Sequence, residues 1–245
     1  MTILLNTRSV STLCVTLLAL CGTAAQAQTL LDHNRAMSGN ATPGDAPGYP
    51  ITLSQPGHYV LKSNLNVPDG LSGILIQTEG VTLDLNGFTI KGSRSCSFNN
   101  SSYIVSCSAA GGVRGVDSSS HINTTVRNGH VRGFAIGVFL SGGLVEGLTV
   151  NHNLTGILAT NNFATRITGV LAEMNATAGI AIDYLGLVDN VVTVRNTTGI
   201  DGSTGVMAAV RDSLVTHNNV GIRGGVMRAT RVNLNTTDTV GTAAY

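Results

Sequence analysis

Three stretches of the chain align column by column: VEGLTVNHNLTGIL at residues 145–158, VDNVVTVRNTTGID at 188–201 and VRDSLVTHNNVGIR at 210–223. Each opens on a valine beside a charged residue and closes on a glycine followed by isoleucine. Working outward, a glycine before a β-branched residue recurs at Gly137-Val138, Gly156-Ile157, Gly179-Ile180, Gly199-Ile200 and Gly221-Ile222, with a weaker sixth copy at Gly241-Thr242. The spacings are 19, 23, 20, 22 and 20 residues. A fixed period of this kind marks a repeat architecture.

Counting back eleven positions from each glycine gives Val126, Val145, Val188 and Val210, with Thr168 and Thr230 in the other copies. Ten positions back lie Arg127, Glu146, Asp189, Arg211 and Arg231, with Gly169 in the longest copy. An apolar column beside a charged one is the inside/outside alternation of a strand, repeated once per coil. Leucine-rich repeats share the period, but their leucine frame is absent. Helical repeats need longer units and better helix formers than this Val/Thr/Asn/Gly mixture. The pattern predicts an all-β chain, a single-stranded right-handed parallel β-helix (solenoid). Stacked Val and Ile would fill its interior, and Gly and Asn would take left-handed turn conformations.

Upstream, residues 71–92 make one more coil and residues 49–70 the entry coil, giving about eight coils and about 35–40 Å of stack. Residues 28–48 read as a leader with a short capping helix over 29–37. Residues 93–112 interrupt the stack. Within them Cys96 and Cys107 bracket a polar decapeptide, and a disulfide closing that loop is the expectation for an exported chain.

Export is read from residues 1–27. Arg8 is the only charge, an apolar run spans Leu13–Leu20, and Ala25-Gln26-Ala27 forms a cleavage site before Gln28. The run is too short for a membrane span. A lipid anchor on Cys21 is the rival, but Leu20 is larger than that signal admits. Loss of the signal removes Cys14 and Cys21 and leaves 13 basic and 13 acidic residues. Such a balanced chain lacks the basic field that drives nucleic-acid binding. No cofactor or metal is expected, and the mature protein is expected to be secreted or periplasmic.

GVTLDLNGFTIKG at Gly80–Gly92 and TTVRNGHVRGFAIGV at Thr124–Val138 resemble the secreted right-handed β-helix repeat proteins of the pectin-lyase-like superfamily. That resemblance implies the fold across nearly the whole mature chain. It implies less about activity, because the superfamily includes lyases, glycosidases, epimerases, adhesins and non-catalytic proteins. Its enzymes usually act on acidic polysaccharides through carboxylates, basic residues or bound calcium. The polygalacturonase motifs, the Asp-Pro-His-Asp motif of alginate epimerases and the nonapeptide of calcium-binding β-rolls are all absent, and no catalytic residue is assigned.

The charged column is the candidate site: Arg127, Glu146, Asp189, Arg211 and Arg231, read either as a register-setting ladder or as a glycan-contacting stripe. Glu146 and Asp189 fall two coils apart, about 9–10 Å. That exceeds the carboxyl spacing of retaining glycosidases, about 5–5.5 Å, and barely admits inversion. His152 and His217 share a column with Arg195 and, by this count, Asn175. They read as a turn row beside an asparagine row of Asn153, Asn196 and Asn218, with Asp238 at its end. His130, beside Arg127 and Arg132, is the one local cluster with acid/base potential. The Asn-x-Thr triplets at Asn123, Asn153, Asn175, Asn196 and Asn235 follow from turn composition.

Two functional readings follow. One is a non-catalytic glycan-binding, surface-binding or envelope scaffold module. The alternative is a small polysaccharide lyase or glycoside hydrolase acting on an acidic polysaccharide. The last coil carries no amphipathic cap, so an oligomer formed through it is a further expectation.

Overall fold

A computed structural model describes residues 28–109, 111–160, 163–183, 186–202, 209–241 and 243–244. The signal read over residues 1–27 lies outside the described residues. The chain is all-β, with parallel sheets stacked as a β-solenoid of about seven turns.

Three faces wind along the stack. The first runs from Thr29–Leu31 and Gly57–Leu61 through Val81–Asp84, Thr165–Thr168, Gly186–Asp189 and Val226–Arg228 to Ala243–Ala244. The second includes Thr89–Lys91, Leu171–Glu173, Val192–Val194, Leu214–Thr216 and Arg231–Asn233. The long strands Thr124–Arg132 and Gly143–Asn151 serve both. The third is a separate sheet of nine strands, from Ile51–Leu53 to Thr237–Val240.

Side chains of one kind stack inside each face. On the first, Leu83, Val126, Val145, Ile167, Val188, Val210 and Met227 pair in sequence. On the third, Ile74, Val116, Val138, Ile157, Ile180, Ile200 and Ile222 do the same. Nearly all are fully buried, each contributing about 1.5–3 kcal/mol of hydrophobic stabilisation. The register corrects the sequence count in two coils. Ile167, not Thr168, is the inward residue, because one extra residue lies between Asn175 and Gly179. Met227, not Thr230, is the next, because Asp238 takes the glycine position opposite Gly221 and Gly241 falls past the strand.

The recurrent glycines are required for a reason other than turn conformation. Gly73, Gly115, Gly137, Gly156, Gly179, Gly199 and Gly221 lie one above another, and a Cβ on any of them would come closer than 3.0 Å to the carbonyl oxygen of the next coil. None has a positive φ. The left-handed corners between the second and third faces fall instead on His152, Met174, Arg195, His217 and Leu234, at φ 54–56°. Holding such residues there costs about 1–2 kcal/mol each, so something nearby must over-determine the corner.

That something is an asparagine ladder, one residue further on. Asn175 shows its unit. Its Oδ1 accepts the backbone N–H of Asn153 (3.1 Å), and its Nδ2 donates to the carbonyls of Val150 (3.1 Å) and Glu173 (3.2 Å) and to Oδ1 of Asn196 (2.9 Å). Asn196 and Asn218 repeat the pattern. Phe134 N–H starts the ladder on Asn153, and Asn235 ends it on the carboxylate of Asp238. Asn153, Asn175, Asn196 and Asn218 are fully buried. Asn175 therefore belongs to this row and Met174 to the histidine column; Asn235 takes the place that counting had given to Asp238.

At the N-terminal end, Thr29–Leu31 is a strand paired with Tyr59–Leu61, and the helix is confined to His33–Ser38. Asp32 caps it by accepting the N–H of Arg35 (2.8 Å), and Ala36 is fully buried. The helix starts after Asp32, so the expected helix over 29–37 is shorter than the sequence suggested.

The Cys96–Cys107 disulfide is present and closes an antiparallel hairpin of Cys96–Asn99 with Ile104–Cys107. This hairpin is a strap and not a free loop. Cys96 N–H donates to Nδ1 of His152 (3.3 Å), Val105 N–H to Oγ1 of Thr197 (3.4 Å), and the Asn219 amide to the Ser102 carbonyl (3.1 Å). Tyr103 stacks on His217 at 6.2 Å between ring centroids. The strap thus runs along the asparagine corner over three rises, about 14 Å.

Asn196→Ala would strand buried donors and acceptors in three coils, and is expected to lower unfolding free energy by about 3 kcal/mol or more in urea titrations. Thr193 faces the core fully buried with its hydroxyl unpartnered. Thr193→Val is expected to raise stability by about 1 kcal/mol in the same assay.

Candidate functional site

The outer column of the first face is Asp84, Arg127, Glu146, Thr168, Asp189, Arg211 and Arg228, each paired with the next in register. Four of the five residues expected from the sequence, Arg127, Glu146, Asp189 and Arg211, share it. Arg231 does not: it lies on the second face opposite Leu214, and Arg228 takes its place, the same three-residue offset that displaced Gly241. Asp84 and Arg166 escaped the count. The insertion at 93–112 separates Asp84 from the countable glycines, and Arg166 belongs to the neighbouring outward column opposite Leu187.

Opposite charges on adjacent rungs pair in two stretches of this column, on either side of Thr168. Arg127 Nε donates to Asp84 at 2.9 Å, and its Nη1 lies 3.9 Å from Glu146. Asp84 also accepts the Asn86 N–H at 2.8 Å. Asp189 is the most enclosed acid of this column, 7% exposed. It accepts Nε and Nη2 of Arg211, both at 3.1 Å, and Nη2 of Arg166 at 2.9 Å. The hydrogen bonds from Arg211, followed by those from Arg166, hold its carboxyl below the usual carboxylate range. The same bonds hold Arg211 above the ordinary guanidinium range.

These contacts limit the chemistry available. An acid clamped by two guanidiniums stays ionised and has no proton to give, so Asp189 cannot serve as a general acid. Glu146 stands two rungs away, beyond the reach of a nucleophile–acid pair of the retaining kind. Bidentate arginine clamping fixes geometry, which suits a rigid contacting surface. The side chains of Arg166 and Arg211 keep about half their surface open, 53% and 45%.

The histidines are held by the strap or stand apart. Burial, with Arg132 beside it, pushes the His152 imidazole down, against smaller upward effects of Glu173 and the Cys96 N–H. Neutral His152 accepts the Cys96 N–H through Nδ1. His217 is engaged by Tyr103 and by Thr216 Oγ1 at 3.0 Å. His130 is exposed on the second face between Thr89 and Thr149, while Arg127 is committed to Asp84. Among the described residues no three His, Cys, Asp or Glu side chains gather as a metal site, and no helix is long and apolar enough to cross a membrane.

Comparison with protein-family models, curated proteins and solved structures gives no match to the chain.

Because the Asp189 carboxyl titrates lower in the folded than in the unfolded chain, its contribution is present above the ordinary carboxylate range. It is lost as pH falls through the folded value. Asp189→Asn is therefore expected to be less stable than the parent at neutral pH, with the gap in denaturation midpoint closing as the solution is acidified. A gap that stays constant with pH would remove the clamp from the account.

Proposed function

We propose that this protein is a secreted or periplasmic β-solenoid that binds an extended glycan or cell-surface polymer along its first face without transforming it, acting as an envelope-scaffold module. The observation that carries this reading is the clamped ladder. Seven side chains stand at coil spacing, Asp84 and Asp189 accept hydrogen bonds from arginines, and the half-exposed side chains of Arg166 and Arg211 project from one rigid surface. A regular, pre-ordered row loses little entropy on contact with a periodic polymer. The disulfide supports an oxidising compartment, and the signal-like residues 1–27 support export. The resemblance of Gly80–Gly92 and Thr124–Val138 to the pectin-lyase-like superfamily supports a carbohydrate partner. The lyase or hydrolase alternative needs a positioned acid or base free to exchange a proton, and the clamped Asp189 offers none.

The test is a glycan array probed with the mature chain, together with a screen of acidic polysaccharides for unsaturated products. Binding to at least one polymer is expected, with no product formed. An Arg166→Ala/Arg211→Ala double variant is expected to bind about ten-fold more weakly, corresponding to about 1.4 kcal/mol. Absence of binding to any glycan, or release of unsaturated product, would overturn the reading.

A further inference from the structure

The corner between the third and first faces carries a small cavity of about 140 Å³. It lies between two successive turns, lined by Leu75 and Gln77 of one and by Asp117, Ser119, Ser120 and His121 of the next. The strands flanking it are Ile74–Ile76 and Arg114–Ser118, with Leu75 opposite Asp117 and Phe139 one rung further.

The polar groups here are arranged unlike those of the first face. The six other acid–arginine contacts among the described residues join one coil to the next: Arg127 with Asp84 and Glu146, Asp189 with Arg166 and Arg211, Glu173 with Arg195 and Asp201 with Arg223. They tie the stack in register. Arg114 and Asp117 instead lie three residues apart on one strand, 2.6 Å from each other, and their contact joins no coils. Both are half-buried while Gly115 and Val116 between them are buried, and their direct contact puts them on the same side of the strand. Arg114 Nη1 also donates to Ser119 Oγ at 3.0 Å, and Ser119 N–H donates to the other Asp117 oxygen at 3.1 Å. The guanidinium rests 4.4 Å from the centre of the Phe139 ring. The carboxylate is thus held by two groups, the Arg114 guanidinium and the Ser119 N–H, beside a cavity that Asp117 lines, an arrangement that does nothing for coil register.

From this geometry we infer that the corner binds a single neutral sugar ring. Asp117 retains accepting capacity beyond its present bonds, since an ionised carboxylate has about four lone-pair sites. The Gln77 amide and the serine hydroxyls both donate and accept. Such a mixture matches vicinal hydroxyls, which do both as well. Leu75 offers an apolar wall for the C–H face of a ring. The positive charge of Arg114 is already taken up by Asp117 and Phe139, so no uncompensated cation is left for a carboxylate or sulfate. Size gives the remaining constraint: cavities enclosing drug-sized ligands run to about 300–1,000 Å³, so this one takes one ring and no chain. The inference goes beyond the ladder reading and does not use the first face.

The experiment is saturation-transfer NMR and titration of the full mature chain with D-glucose, D-galactose, D-mannose and D-galacturonic acid, with glycerol as control. The variants are Asp117→Ala, Gln77→Ala and the Arg166→Ala/Arg211→Ala double, each first checked for the parent's far-UV spectrum and thermal midpoint. At least one neutral hexose is expected to bind with Kd of about 1 mM, and galacturonic acid about ten-fold more weakly. Asp117→Ala and Gln77→Ala are each expected to weaken hexose binding about ten-fold, whereas the first-face double variant stays within about two-fold of the parent. No hexose binding above glycerol, tighter binding of galacturonic acid, or an unchanged affinity in both pocket variants would overturn the inference. Polymer binding lost in the double variant with hexose binding kept, or the reverse, shows which of the two sites fails.

Discussion

The close approach of one coil to the next at the glycine column governs the rest of this molecule. Parallel strands must sit about 4.8 Å apart to hydrogen-bond. At the start of seven of the nine third-face strands, the path of the chain brings the next carbonyl to where a side chain would begin. Only glycine fits there. Once seven successive coils meet at that distance, the Val and Ile columns inside are brought into contact. The asparagine amides also come within hydrogen-bond reach of the coils before and after. The two corner devices are complementary: glycine sets how near the coils come, and asparagine satisfies the backbone groups that the turn would otherwise bury unpaired.

The surface features follow from the same stacking. A charged residue placed once per coil becomes a column, and opposite charges on adjacent rungs become Asp84–Arg127 and Asp189–Arg211. Individually such exposed pairs contribute little, but the enclosed Asp189 with two arginines is a fixed geometric element. The strap uses the stack differently. Leaving the solenoid before the coil of Arg114, it reaches residues 56 to 117 positions later in the chain, because stacked coils bring distant sequence to one corner. Where the pattern breaks, as in the Arg114–Asp117 pair within a single strand, a role other than stacking has to be sought.

Much of this was legible in the residues. The period, the inward Val/Ile column, the parallel solenoid and the disulfide all follow from Gly-Ile spacing and two cysteines. What the sequence hid was local slippage. A single extra residue before Gly179 moved Asn175 and Ile167 by one place, and a short last coil moved the expected Arg231 to Arg228. Counting from one anchor cannot reveal where a coil gains or loses a residue, since any corner can absorb it. Left-handed conformations do fall on Gly and Asn between the first and second faces, at Asn86, Asn128, Gly147, Gly169 and Asn190, but not at the corner beside the asparagine ladder. Propensity favours Gly and Asn there, but His152, Met174 and Arg195 are held in that conformation by the asparagine that follows each of them. The strap's contacts with His152, Thr197 and His217 had no local signal at all, being set only by how the coils stack.

The measurement that bears most directly on this account is the stability of Gly156→Ala against Gly112→Ala. A Cβ on Gly156 would meet the Gly179 carbonyl and the Val150 side chain, whereas one on Gly112 has open space around it. Close coil contact predicts a loss of about 3 kcal/mol or more for Gly156→Ala in urea denaturation, and a change within about 0.5 kcal/mol for Gly112→Ala. Equal, small effects at both positions would contradict it.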